Sequence, residues 1–226
     1  TLDTISRLGP DCLVALPSQA LRLARHPRSS LGKGLSAVLL CSDFASDSLA
    51  SAVEKAWECT VFRHYGLTET GYGGALSCGE GPGMHVMEDR FFFEIVCPGT
   101  GEPLPAGEEG EIVCTSLQAE GTPLLRYRTG DRGRFLTGGC SCGSFLRRIA
   151  VRGRYANGLA LPGGWVSLAD LDEALFSLPW LGGYEVRMGG RFPVFLLEVP
   201  SLREEILSLP EDLEREAGNK LRSLPG

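Results

Sequence analysis

Lysine is scarce in this chain of 226 residues: Lys33, Lys55 and Lys220 are its lysines, so nearly all of the 22 basic residues are arginine. Any step that depends on a lysine amine therefore has few candidates. The net charge of −6 leaves no basic stripe to neutralise phosphates, which argues against a nucleic-acid partner. No apolar run approaches the length needed to span a bilayer, so no membrane partner is expected. Cysteine, by contrast, is not lacking, with Cys12, Cys41, Cys59, Cys78, Cys97, Cys114, Cys140 and Cys142. Several of these sit in apolar runs such as Ile95-Val96-Cys97 and Ile112-Val113-Cys114, where free thiols behave as small core hydrophobes. A secreted disulfide framework is the poorer reading and the cytoplasm the expected location. A hydrophobic content of 43% with 22% charge is ordinary for a globular chain with a real core.

Two short stretches carry the chemistry. His64-Tyr65-Gly66-Leu67-Thr68-Glu69-Thr70-Gly71 puts a ring, a glycine, a hydroxyl and a carboxylate into one loop after the apolar run Thr60-Val61-Phe62. A ring such as Tyr65 can stack on a purine, and Gly66 lets backbone approach a ligand closely. Thr68 can donate to a phosphate oxygen, and Glu69 can hold a hard cation such as Mg²⁺. The second stretch, Arg126-Tyr127-Arg128-Thr129-Gly130-Asp131, ends a strand-like run on an aspartate whose two oxygens can accept from both hydroxyls of a ribose. Tyr65 follows the polar His64, so a ligand-facing ring is preferred to a core aromatic. Together the two stretches read as part of an ATP-using site.

That pairing resembles the adenylate-forming (acyl-CoA synthetase) superfamily. Gly83-Met84-His85-Val86-Met87-Glu88-Asp89-Arg90-Phe91, Glu94-Ile95-Val96, Thr100-Gly101-Glu102-Pro103-Leu104-Pro105 and Gly110-Glu111-Ile112-Val113 narrow the likeness to the phenylacetate–CoA ligase branch. It is strong over residues 35–154 and weaker after them. The resemblance implies that Tyr65 stacks on adenine, Thr68 contacts the α-phosphate, Glu69 binds Mg²⁺ and Asp131 binds ribose. It also implies that Arg154 meets ribose or phosphate at a hinge, and that Asp43 stands where relatives carry a glutamate beside the adenine and acyl pocket. The sequence departs from the branch at Tyr155-Ala156-Asn157, where acidic residues are usual.

The implied activity is an ATP-dependent, AMP-forming ligation of a small carboxylic acid to CoA, with ATP, CoA and the acid as small-molecule partners and room for a homodimer. Two alternatives stay open: an adenylating enzyme with a non-CoA acceptor, and a non-catalytic, zinc-stabilised nucleotide-binding module. The Ser/Thr/Gly-rich phosphate loop of the family has no match upstream of Tyr65. Residues 29–34 have suggestive composition but read as a solvated turn. Lys220 falls inside a helical pattern and reads as a solvated helix residue, not the family's catalytic lysine. The expectation is that the sequence is the C-terminal part of a larger enzyme and inactive alone.

The pattern along the chain is α/β and then α+β. Residues 11–25 carry apolar positions at helical spacing, 35–41 read as a buried strand, 43–57 as a helix and 60–64 as the next strand. This order suggests a partial α/β sheet layer over residues 1–75. Strand-like runs at 91–97, 111–117, 124–128 and 132–136, separated by Pro/Gly turns, suggest a small β subdomain over 83–151. A further strand at 145–152 leads to a hinge near 152–157. A small, mobile α+β domain follows over 152–226, beginning with a Gly-rich loop at 157–164. Next come a helix capped by Ser167, strands at 184–188 and 192–199, and a helical tail over 201–224. Pro193 points the second of these strands to an edge position.

Cys78, His85, Cys140 and Cys142 offer three soft sulfurs and one nitrogen, the donor set of a closed tetrahedral Zn²⁺ site. The glycine-flanked run Gly138-Gly139-Cys140-Ser141-Cys142-Gly143 has the looseness that a metal knuckle needs. The plain alternative is four unconnected residues, because Cys-x-Cys is less diagnostic than Cys-x-x-Cys.

Overall fold

The computed structural model of the chain describes residues 2–71, 73–118, 122–161, 164–189, 192–198 and 211–224. In chain order, α1 (Leu2–Leu8), β1 (Cys12–Ala15), α2 (Pro17–Ala24), β2 (Ala37–Leu40), α3 (Asp47–Trp57) and β3 (Thr60–Tyr65) come first. Six strands follow: β4 (Ala75–Leu76), β5 (Met84–Val86), β6 (Phe91–Val96), β7 (Gly110–Ser116), β8 (Tyr127–Phe135) and β9 (Arg148–Arg154). The rest comprises β10 (Gly158–Leu161), β11 (Gly164–Ser167), α4 (Leu168–Phe176), β12 (Gly183–Gly189), β13 (Phe192–Glu198) and α5 (Glu211–Arg222). The chain folds as two compact units, residues 1–61 with 158–226 and residues 62–157. The sequence boundary at 151/152 lies six residues from the later of these divisions.

In the first unit β1 and β2 pair in parallel, Cys12 opposite Ala37 and Ala15 opposite Leu40. The helical spacing read over 11–25 holds only from Pro17 onward. Proline disfavours helical backbone at the residue before it, and Leu16 is extended at φ −65° and ψ 140°. Pro17 then occupies the first turn of α2, where its missing N–H costs nothing. Helix α3 starts at Asp47, not at Asp43, because Ser46 is the cap: its hydroxyl accepts from Leu49 N at 3.2 Å. Ser167 caps α4 in the same way, accepting from Asp170 N at 3.1 Å. The Gly-rich stretch read as a loop forms the β10–β11 hairpin, with residues 162–163 outside the described part. Of the tail, 201–210 also lie outside it, and α5 carries an exposed Lys220 as expected.

The core of this unit gathers Leu21, Val38, Leu40, Leu49 and Trp57 with Leu175, Leu178 and Leu181. Each such side chain contributes about 1.5–3 kcal/mol of burial. Polar clasps fix the register of that packing. The Ser48 hydroxyl donates to the Glu173 carboxylate at 2.5 Å, and the Arg25 guanidinium donates to the carbonyls of Phe176 and Leu181. Residues 29–32 form a 3₁₀ turn whose Ser29 carbonyl accepts from Trp57 Nε1 at 3.0 Å. The solvated-turn reading of that stretch missed this anchor.

The second unit is a sheet ordered β3-β4-β5-β9-β8-β7-β6, in which each neighbouring pair is antiparallel. Its core is aromatic and β-branched: Tyr65, Phe91, Phe93, Ile112 and Ile149, with Met84 and Val86. The runs at 124–128 and 132–136 are one strand, β8, not two. What looked like a strand end at Thr129-Gly130-Asp131 is a bulge within it, because Glu111 pairs with Arg132 while Val113 already pairs with Arg128. Gly130 sits at φ +72°, a conformation that costs glycine little.

Candidate functional site

The bulge explains how Asp131 is held. Thr129 Oγ1 donates to Ile112 O at 2.8 Å and accepts from Asp131 N at 3.0 Å, while Gly130 N donates to Glu111 Oε1 at 3.2 Å. A second irregularity lies between β8 and β9. Asp131 pairs with Arg154 but Gly133 with Val151, and Gly153 in the longer arm has φ +79°. The two bulges bring the Asp131 carboxylate and the Arg154 guanidinium across the strands, where Nε donates to Oδ1 at 2.9 Å.

Tyr65, at the end of β3, donates its hydroxyl to the other oxygen, Oδ2, at 2.8 Å. Its ring lies 6.1 Å from Phe93 and is 8% exposed, so it is a core aromatic with a polar tip. Sequence reasoning preferred a ligand-facing ring; the structure instead gives Tyr65 a hold on the carboxylate. Burial raises the Asp131 pKa first, opposed by the Tyr65 hydroxyl and the charge of Arg154. Both oxygens thus have a protein partner, and each retains capacity for one more.

Beyond Tyr65 the chain turns through a 3₁₀ segment, Thr68–Thr70. Thr70 is the buried anchor of that turn, its hydroxyl accepting from Leu67 N at 2.9 Å and donating to Leu67 O at 3.0 Å. Thr68 and Glu69 are left exposed at the bend. Tyr127 O–H donates to Glu69 Oε1 at 2.8 Å, and that bond first of all holds the carboxyl below its ordinary range. Glu69 is thereby anionic and aimed by β8. Gly66 and Gly73 are required by close approach: a Cβ on Gly73 would collide with the His64 ring, and one on Gly66 would lie 2.8 Å from Gly73 Cα.

Tyr65, Gly66, Thr68, Glu69, Asp131 and Arg154 all belong to residues 62–157, whereas Asp43 belongs to the other unit. There its carboxylate accepts from Phe44 N at 2.8 Å, and its charge helps raise the pKa of Asp172. Sequence reasoning missed Thr70, Glu111 and Tyr127 as positioning residues. All three stood within the motifs; for Glu111 and Tyr127 what was missing was the partner from a distant segment.

Residues 1–119 match the family described as AMP-binding enzyme. The chain belongs to that family. Phenylacetate-coenzyme A ligase of Thermus thermophilus is 33% identical over 77% of this chain and 41% of its own length. The enzyme of the same name from Escherichia coli strain K12 is 31% identical over 94% of this chain and 50% of its own. The chain thus spans about half the length of the curated relatives it matches. A solved 2-hydroxyisobutyryl-CoA ligase, in the postadenylation state with R3-HIB-AMP, aligns with a TM-score of 0.78 over 98% of this chain and 48% of that one. At 17% identity that likeness is one of fold. No helix among the described residues is long and apolar enough to cross a membrane.

The structure also brings Cys78, His85, Cys140 and Cys142 together, with one donor atom of each within 4.8 Å of every other. Cys78 follows β4, His85 lies on β5, and both Cys140 and Cys142 lie in the β8–β9 connection. The buried Arg148 clamps the two loops, donating to Pro82 O at 3.1 Å and Gly139 O at 2.8 Å.

Proposed function

We propose that this chain carries the nucleotide-holding part of an ATP-dependent, AMP-forming carboxylate–CoA ligase of the phenylacetate–CoA ligase kind. The observation that supports it most is the linked set Tyr65–Asp131–Arg154 and Tyr127–Glu69, in which one carboxylate is buried and braced while the other is exposed and anionic. A buried, braced carboxylate suits the paired hydroxyls of a ribose, which need a fixed acceptor. The half-exposed Arg154 has its Nε on Asp131, which directs the rest of its fork toward ribose or phosphate oxygens. Thr68 Oγ1 would donate to an α-phosphate oxygen. The edge of Tyr65 and the Gly66 backbone would border the adenine, an edge contact replacing the stack inferred from sequence. The role of Asp43 beside the base, and the division into residues 1–151 and 152–226, belong to the same proposal.

In the reaction a carboxylate oxygen attacks the α-phosphorus and pyrophosphate leaves. The CoA thiolate then attacks the acyl carbon and AMP leaves. Glu69 fits a divalent cation, being a hard, ionised, exposed oxygen donor of the kind Mg²⁺ takes in ones and twos beside substrate phosphates. The cation would neutralise charge on the phosphates.

Glu69→Gln in the intact ligase tests this reading. The amide keeps the shape and can still accept from Tyr127, but the negative charge is gone. Adenylate formation is expected to fall on the order of a hundredfold, as when a single electrostatic stabiliser is removed. AMP affinity, measured by calorimetry, should barely change. Equal loss of both would make Glu69 a structural residue of the turn, and loss of neither would defeat the ligase reading.

A further inference from the structure

We propose that Cys78, His85, Cys140 and Cys142 hold one structural Zn²⁺ ion, which fastens the β4–β5 loop to the β8–β9 connection. This inference is independent of the nucleotide site. The four donors belong to segments far apart in sequence, and folding brings their ligand atoms within 4.8 Å of one another. Zn–S bonds of about 2.3 Å and Zn–N of about 2.0 Å at tetrahedral angles require S···S edges of roughly 3.8 Å and S···N edges of roughly 3.6 Å. Cys78 Sγ lies 3.6 Å from Cys140 Sγ, and Cys142 Sγ lies 3.3 Å from His85 Nε2. The cage is thus already near the size of the ion.

The surroundings are those of a built site. His85 Nδ1 lies 3.2 Å from Leu146 O. That bond sets the tautomer, putting the proton on Nδ1 and turning the lone pair of Nε2 toward the sulfurs. Ser144 N lies 3.5 Å from Cys142 Sγ and donates an N–H···S bond that orients the sulfur. Ser141 Oγ donates to Glu80 O at 2.7 Å, so the two loops are fastened on either side of the cluster. Gly83, Gly138 and Gly143, at φ +78°, +80° and +79°, supply the tight turns around it. Three thiolates and one imidazole fill a tetrahedron and leave no open position for substrate, which makes the role structural; the soft donor set favours zinc over magnesium or calcium.

The experiment is metal analysis of the full chain expressed with a removable non-histidine tag and purified without chelator. About one zinc per chain is expected, and mercurial titration of the thiols should release it. His85→Ala should lower retained zinc at least tenfold, whereas His85→Cys, which restores a fourth soft ligand, should keep it. Cobalt-loaded protein should show thiolate-to-metal charge transfer and the visible bands of a tetrahedral ion. If the His85→Ala chain fails to fold, the wild-type stoichiometry and the cobalt spectrum still decide. Wild-type protein with no zinc and freely titrating thiols would overturn the proposal. So would a Cys78–Cys140 disulfide in its place, or zinc that survives His85→Ala.

Discussion

At the scale of single residues, the two carboxylates Asp131 and Asp172 are handled alike, and both have raised pKa values. Each is enclosed and accepts from a tyrosine hydroxyl, Tyr65 for Asp131 at 2.8 Å and Tyr184 for Asp172 at 2.6 Å. They differ in what else is near. Asp131 has the Arg154 guanidinium, whereas Asp172 has the charges of Asp43 and Glu173. Burial first, then those like charges, push the Asp172 pKa up to about 6. Its folded value lies above its unfolded one, so the folded state binds the extra proton between about pH 4 and pH 6. Stability is therefore lost as pH rises through that window. Asp172→Asn keeps an acceptor for Tyr184 without the charge. It should stabilise the chain by about 1–3 kcal/mol at pH 7.5 and by almost nothing near pH 4. Urea unfolding at the two pH values measures the difference; an equal effect at both would mean the carboxyl does not titrate in the fold.

At the scale of elements, the site depends on strand β8 being bulged. Gly130 and Gly133 lie on that one strand for different reasons. A Cβ on Gly130 meets nothing within 4 Å, but its φ of +72° is one that L-residues rarely adopt. A Cβ on Gly133 would lie 2.7 Å from the Ala150 carbonyl oxygen and 2.8 Å from Ile112 Cδ1, so the sheet itself would have to part. Gly130→Ala should cost about 1–2 kcal/mol through backbone strain alone and shift Asp131, weakening AMP binding with the fold intact. Gly133→Ala should cost more, up to about 3 kcal/mol or beyond, through overpacking. Thermal unfolding with AMP titration separates the two. Full nucleotide affinity in Gly130→Ala would show that the bulge does not position the carboxylate.

At the scale of the whole molecule, the chain spans 41% and 50% of two phenylacetate-coenzyme A ligases. It holds the braced Asp131 carboxylate and the exposed Glu69, but no Ser/Thr/Gly-rich loop of the kind expected for the β- and γ-phosphates stands upstream of Tyr65 in this sequence. Binding AMP and turning over ATP should therefore separate. AMP at a hundred times its Kd should stabilise the chain by about 2.7 kcal/mol, while ATP–pyrophosphate exchange with any carboxylic acid stays at background. Robust exchange by this polypeptide alone would sink the view that it supplies only part of the site.

The sequence by itself determined the family, the alternation of strand and helix, the two chemistry-bearing motifs and the four thiol and imidazole donors. Those features are local, written in spacing and in residue types with few other uses. Pro17 also carries a local instruction that the helical spacing of its neighbours concealed. Only the tertiary structure decided which way Tyr65 points, because ring burial depends on Phe93 from another strand. It alone made Thr129-Gly130-Asp131 a bulge and not a strand end, since a bulge is defined by the register of the neighbouring strand. Tyr127 and Arg148 became positioning residues for the same reason: Glu69, the partner of the first, and Pro82, one partner of the second, lie 58 and 66 positions away along the chain. Hydrogen bonds across such distances follow from how strands pair, and composition and spacing carry no record of that.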